Sequence, residues 1–410
     1  MNMSRYEEAV EAFQNGQHDL ARRLLEIAPE SDGRAWRMLG QMASGGHGEP
    51  ADPAKAAALY YRAAELGDGE AAYNLGAMYA TGRGVAKDLA AALAWYQRAA
   101  GLGDLDAVMN VGAMYATGEG VAVNLDEAQR WWRVAAAKGN VPAMLHLGRV
   151  HAVDRPDPVE AAHWFLEAAK HGNQEAAEAT LALVEPLQRI AERGSTRART
   201  LLGVILMAHA GNPMGAVPLL AESADEGDVV AKRTLAFLLE HGQGTMRDVG
   251  RAMRLYREAA DGGDEIAAFN LGVLYGAGLD EVPVDLRESS HFLRLAAEAE
   301  VEMAYPVLGD RLAALGEHAE ALRWYLRAAE GGDPKSMYVV GCWYRDGVGC
   351  DRDLVQSVRW FLAMLNVGSA DGLHEVHPLV ARMDEQQVHQ AAWLAHRPSA
   401  AAALLAVRNG

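Results

Sequence analysis

The chain has 410 residues, half of them hydrophobic and 23% charged, which supplies ample apolar material for a continuous core and argues against global disorder. Its 38 Lys and Arg against 55 Asp and Glu leave a net charge of −17, with no Lys/Arg run to offset it; that sign disfavours nucleic acid and suits neutral or basic protein partners. No apolar stretch nears the length of a membrane span, the N-terminus turns acidic at Glu7 and Glu8 without an apolar signal region, and two cysteines make no disulfide framework, so a cytoplasmic protein with no membrane association is expected.

In chain order, residues 4–28 predict a helical pair: Tyr6 to Phe13, a turn at Gly16, then Leu20 to Ile27, stopped by Pro29. A repeat follows. YNLGAMYATGRGV (73–85), MNVGAMYATGEGV (109–121) and FNLGVLYGAG (269–278) align with one another. Aromatic pairs with a small-residue run recur as WYQRAA (95–100), WWRVAA (131–136) and WYLRAA (324–329). Gly40, Gly76, Gly112 and Gly148 stand 36 residues apart, and the phase resumes at Gly203, Ala236, Gly272, Gly309 and Gly341. The gap of 55 between Gly148 and Gly203 holds a degenerate unit, Gln174 to Val184 and then Pro186 to Arg193.

Each unit reads as two helices. In the first, Ala71, Leu75, Gly76 and Tyr79 share a face; Gly82 and Gly84 end it, because glycine tolerates the left-handed conformation. Asp88 stands where an N-cap is needed. In the second, Ala92, Trp95, Tyr96 and Ala99 recur at helical spacing, and Gly103 closes it. After Gly368 the period is lost; residues 371–408 remain helical in pattern, with breaks at His377-Pro378 and Arg397-Pro398.

The pattern A-x-x-x-L-G-x-x-Y-x-x-G-x-G-V followed by A-x-x-W-Y-x-x-A-A-x-x-G resembles the Sel1-like repeat, a relative of the tetratricopeptide repeat, over residues 34–368. The units around Gly203 and Gly309 lack the G-x-G-V loop and are closer to plain tetratricopeptide repeats. The resemblance implies an all-α fold, a right-handed α/α superhelical solenoid of such pairs. The expected organisation is a capping pair at 1–33, regular repeats at 34–173, a degenerate repeat at 174–210, mixed repeats at 211–368 and a helical cap or tail at 369–410.

The resemblance further implies a non-catalytic scaffold that holds a protein or peptide on a concave face lined by the first helix of each pair. Asn74, Asn110 and Asn270 all precede the signature glycine by two positions, where related peptide-binding repeats often read a ligand backbone; an amide both donates and accepts, as a peptide unit requires. Tyr73, Met109, His146, Arg233 and Phe269 would line the same groove, with Glu70 and Asp106 adding negative charge at its rim. A regulator whose curvature responds to binding is the second reading. A helical enzyme with an unrecognised site is the third.

Other chemistries are less well supplied. The pairs Trp95-Tyr96, Trp131-Trp132, Trp164-Phe165, Trp324-Tyr325 and Trp360-Phe361 offer a stacking platform for bases or sugars, but their fixed place in every second helix points to core packing. The G-x-G-V loops follow helices, not strands, and carry no phosphate-binding signature. Cys342 and Cys350 are expected as free thiols. His374, His377, His389 and His396 fall short of a metal-ligand set, no nucleophile, base and stabiliser group together, and no cofactor is expected.

Overall fold

A computed structural model describes residues 5–28, 31–279 and 282–409, and among them the chain is helical throughout, without a strand. Two compact units divide between Leu187 and Gln188. The N-terminal unit contains α1 (Arg5–Gln14), α2 (His18–Glu26), α3 (Gly33–Gly45), α4 (Pro53–Glu65), α5 (Gly69–Thr81), α6 (Leu89–Gly101), α7 (Leu105–Thr117), α8 (Leu125–Ala136), α9 (Val141–Arg149), α10 (Pro158–Lys170) and α11 (Gln174–Leu181). The division falls inside α12 (Val184–Ala191). The C-terminal unit continues with α13 (Thr196–Ala208), α14 (Pro213–Asp225), α15 (Val229–His241), α16 (Val249–Asp261), α17 (Glu265–Ala277), α18 (Leu286–Glu298), α19 (Ala304–Ala314), α20 (His318–Glu330), α21 (Pro334–Asp346), α22 (Leu354–Ala363), α23 (Leu373–Val380), α24 (Glu385–Leu394) and α25 (Ala400–Asn409).

Each pair is an α/α hairpin, and successive pairs stack as a solenoid within each unit. The signature glycine sets how closely the two helices meet. A Cβ on Gly76 would lie 2.8 Å from Tyr96, one on Gly112 2.4 Å from the Trp132 indole nitrogen, and one on Gly148 2.5 Å from Phe165. In the C-terminal unit Gly309 meets Tyr325 at 2.7 Å and Gly341 meets Phe361 at 2.6 Å in the same sense. Where the second helix carries no aromatic there, leucine takes the place: Leu220 against Gly203 and Leu293 against Gly272. The second member of each aromatic pair is therefore core, as its periodicity predicts, while Trp95, Trp131, Trp164 and Trp324 lie half-buried at the edge.

Between the helices the loop is built in three steps. Gly82 ends α5 with a positive φ of 75°, a conformation glycine adopts without a Cβ clash. Gly84 then lies against the first turn of α4, the second helix of the preceding repeat, where a Cβ would come within 2.2 Å of the Pro53 carbonyl. Asp88 caps α6 by accepting from the amides of Ala90 and Ala91, and its own amide donates to the Tyr79 carbonyl at 2.9 Å. Gly120 on Leu89, Gly244 on Pro213 and Gly349 on His318 repeat the second step.

One expectation is corrected, and one unit departs from the rest. Pro378 does not break the chain but lies inside α23. It is the sixth residue of that helix, so its missing N–H forfeits one bond, to the carbonyl of the exposed His374. Gly103 closes α6 as expected, following the cap residue Leu102 with a φ of 96°. The unit around Gly148 closes not with a glycine loop but with a π-helical turn, Val150–Asp154, from which Arg155 pairs with Asp126 at the start of α8. The expected stop at Pro29 lies outside the described residues. The break at Arg397-Pro398 separates α24 from α25.

The glycine contact gives a paired test. Gly112→Ala gains helix propensity of about 1 kcal/mol but forces a methyl into the Trp132 ring, and a net loss of roughly 1–2 kcal/mol is expected. Gly101→Ala, at a helical position with nothing within 4 Å of the new methyl, should instead stabilise by about 0.5–1 kcal/mol. Denaturant melts of the two variants should shift in opposite directions; a common sign would remove the close-approach argument.

Candidate functional site

The expected groove residues fall on the first helices α5, α7, α9, α15 and α17, each pinned at its start by a side-chain cap. Asp68 accepts from the Ala71 amide and Asp104 from the Ala107 amide, both at 2.8 Å. Asp264 does the same for Ala267 at 2.7 Å. Such caps offset the unpaired amides of a first turn and fix the rotation of the helix, hence which residues face outward.

Register decides where each side chain reaches. Three positions before the signature position, Tyr73 packs on Tyr96 of its own pair, with ring centres 5.5 Å apart, while two arginines reach forward to the next repeat. Arg37 pairs with the cap Asp68 at 3.0 Å and with Glu70 at 2.6 Å, and Arg233 pairs with the cap Asp264 at 2.7 Å. The residue two positions before it leans back on the preceding repeat. His146 stacks on Trp132, with ring centres 4.7 Å apart and planes 14° from parallel. Asn270 donates to the Tyr256 hydroxyl oxygen, and Tyr256 donates in turn to Glu240 at 2.9 Å. Burial and the nearby Glu240 carboxylate together hold the Tyr256 phenol well above its ordinary range, so it stays a donor.

The predicted residues therefore differ in availability. Tyr73, Asn74, Met109, Asn110, His146, Arg233, Phe269 and Asn270 are all half-buried. Arg233 and Asn270 are engaged inside the C-terminal unit, and His146 is covered by Trp132. Glu70 offers no free charge at a rim, since Arg37 and the Gln41 amide, 3.1 Å away, neutralise and hold it. Asp106 is exposed. Among the described residues the amides of Asn74 and Asn110 bond to no other group of the chain.

A strip in the N-terminal unit thus stands apart. The α3–α5 junction is clasped by Arg37, and the α9–α11 junction by Arg149 with Glu175. Between them, α5 and α7 present Tyr73, Asn74 and Ala77 beside Met109, Asn110 and Ala113, and among the described residues no ion pair crosses the junction. Thr81 and Thr117 turn their hydroxyls back to the carbonyls of Ala77 and Ala113, leaving a small, uncharged floor. Sequence reasoning missed Arg37 and a recess at the start of α21; neither is carried by a repeating motif.

The remaining chemistry is plain. Cys342 and Cys350 are free, and burial pushes both thiols up, which disfavours the reactive thiolate. Among the described residues no three His, Cys, Asp or Glu side chains converge as a metal site, and no helix is long and apolar enough to cross a membrane.

The Sel1 repeat model matches residues 35–68, 69–104, 105–140, 141–173, 231–264, 266–301, 317–333 and 334–368. The chain is 34% identical over 149 residues to the chitin synthase regulator SKT5 of Saccharomyces cerevisiae, a match covering 34% of this chain and 21% of that protein. It is 29% identical over 200 residues to the uncharacterized protein NMB1327 of Neisseria meningitidis, covering 42% of each. The matches thus span less than half the length of these relatives. Among solved structures, c5321, a protective antigen of uropathogenic Escherichia coli with an SLR fold, is 23% identical at a TM-score of 0.35, covering 98% of this chain and 97% of that one.

The two histidines near the α9 turn give a pH signature. Burial, with Arg149 nearby, lowers the His146 pKa below its ordinary 6.5. Burial also lowers that of His151, against the opposing pull of Glu160 and Asp157. Folding thus favours the neutral rings, and below 6.5 the unfolded chain binds protons more readily. The melting temperature should fall as pH drops from about 7 toward about 5, and His146→Phe, which keeps a ring on Trp132, should flatten that slope. An unaltered slope in the variant would remove His146 from the account.

Proposed function

Because the chain belongs to the Sel1 repeat family, we propose that it is a non-catalytic scaffold that binds a protein or peptide along the first-helix face of its repeats, without a cofactor. The observation that carries this reading is the strip of α5 and α7, where Asn74 and Asn110 keep free amides at equivalent positions one repeat apart. Neighbouring helix axes lie roughly 8–10 Å apart, and an extended chain advances about 3.3 Å per residue. The two asparagines therefore suit peptide units three residues apart. Tyr73 and Met109 add apolar contact beside them, and the exposed Asp106 favours a basic neighbour in the ligand.

A net charge of −17 disfavours nucleic acid as the ligand. Two free cysteines in 410 residues suit a reducing cytoplasm. In the same reading, residues 1–33 and 369–410 cap the array, and 174–210 is its degenerate unit. Phe269, Asn270, His146 and Arg233 shape the binding face from beneath rather than touching the ligand. A second reading, a regulator whose curvature changes on binding, draws support from SKT5, itself a regulator of chitin synthase.

The test is a partner recovered by affinity purification from the source organism and titrated against the wild type and the double variant Asn74→Ala/Asn110→Ala. Loss of two backbone-reading amides should weaken binding about tenfold or more, with the melting temperature unchanged. Equal affinity would sink the asparagine assignment. Recovery of no protein partner would sink the scaffold.

A further inference from the structure

In the C-terminal unit a recess of about 960 Å³ opens between the start of α21 and the start of α23. Tyr338, Val339 and Leu373 line it half-buried, and Met364, 1% exposed, forms its deepest surface. Its charged or titratable lining groups, Lys335, Asp371 and His374, are all exposed and so belong to the mouth. The interior is preformed rather than a gap between loose side chains. The Tyr338 hydroxyl donates to Glu375 at 3.1 Å, and Arg345 holds the other oxygen of Glu375 at 2.6 Å, so one ring wall is braced across both helices.

Register explains why this place is apolar. Tyr338 and Val339 precede Gly341 by three and two positions, as Phe269 and Asn270 precede Gly272. Here an isopropyl group stands where Asn74, Asn110 and Asn270 carry an amide, and the thioether of Met364 offers an adaptable contact beneath.

Size and continuity select the occupant. The volume is near the upper end of ligand pockets, roughly 300–1,000 Å³, and exceeds what one side chain fills. An extended strand sends alternate side chains to opposite faces, whereas a helix clusters those at i, i+3 and i+4 within about 5–6 Å. The flanking elements are themselves helices that pack on neighbouring helices elsewhere in the unit, so a further helix prolongs an interface the chain already uses. Charge selects its polar face. Lys335 is the one permanent cation among the lining residues, against Asp371, in a chain of net charge −17.

We propose that this recess docks an amphipathic helix of a partner protein, with an apolar cluster at i, i+3 and i+4 inside it and Lys or Arg on the flanks. The proposal builds on the scaffold reading but not on the asparagines of the N-terminal unit.

The experiment uses the full chain and two fluorescein-labelled peptides of about four helical turns, with leucine at i, i+3, i+4 and i+7 and either lysine or glutamate elsewhere. Fluorescence anisotropy should show the leucine/lysine peptide binding at least tenfold tighter than the leucine/glutamate one. Ala370→Trp, on an exposed loop at the mouth, should weaken it at least tenfold at an unchanged melting temperature, as should Val339→Asp. Lys335→Glu should tighten it several-fold. Equal affinity in Ala370→Trp and the wild type, or equal binding of the two peptides, overturns the proposal. So does an equal loss in Asn74→Ala/Asn110→Ala, which would place the peptide on the other unit. Failure of the asparagine test alone, with the recess variants impaired, leaves this docking site standing.

Discussion

The contact between a glycine in mid-helix and a large ring on its partner helix is the constraint from which the repeat is built. Glycine in a helix interior is unfavourable by about 1 kcal/mol relative to alanine. Its recurrence is therefore explained by what it admits: Tyr96, Trp132, Phe165, Tyr325 and Phe361 each lie where a Cβ would stand. Burying such rings supplies hydrophobic energy that local propensity lacks. The same contact fixes the separation and rotation of the two helices, which in turn decides which residues of the first helix face outward. The outward face of the first helices is a by-product of how the core is packed.

This dependence also explains how much could be read from the sequence. The helix pairs, their caps and the burial of the second aromatic were legible because each follows from residues within one 36-residue unit, as with Gly76, Asp88 and Tyr96. Two short helices, α11 and α12, stand where the phase breaks around residue 174. What stayed hidden depends on partners on other helices with no repeating signature. Arg37 neutralises Glu70, and Tyr256 takes the Asn270 amide, so two groups expected at a ligand surface are already engaged. The π-helical turn at Val150–Asp154 was likewise invisible, because nothing local distinguishes it from a loop lacking glycine.

The recess beside Tyr338 belongs to the same class. It arises from what α23 leaves uncovered on α21, and no composition or spacing announces a gap. The strip on α5 and α7 offers uncharged amides, while the recess offers an apolar hollow with charge confined to its mouth. Two such surfaces, one in each unit, fit a protein that holds unlike partners, or two parts of one.

The second loop glycine carries a consequence for cooperativity. Gly84, Gly120, Gly244 and Gly349 each rest on the opening turn of the preceding repeat's second helix, so these units are joined to their predecessors by a loop as well as by helix faces. In a linear array, stability propagates through nearest-neighbour coupling. Among the described residues such a glycine contact is missing from the α9–α10, α11–α12, α13–α14 and α19–α20 pairs, and the two compact units divide inside α12, within the first three of these. An array coupled in this way should be weakest from α9 to α14, where three consecutive pairs lack the loop-glycine contact.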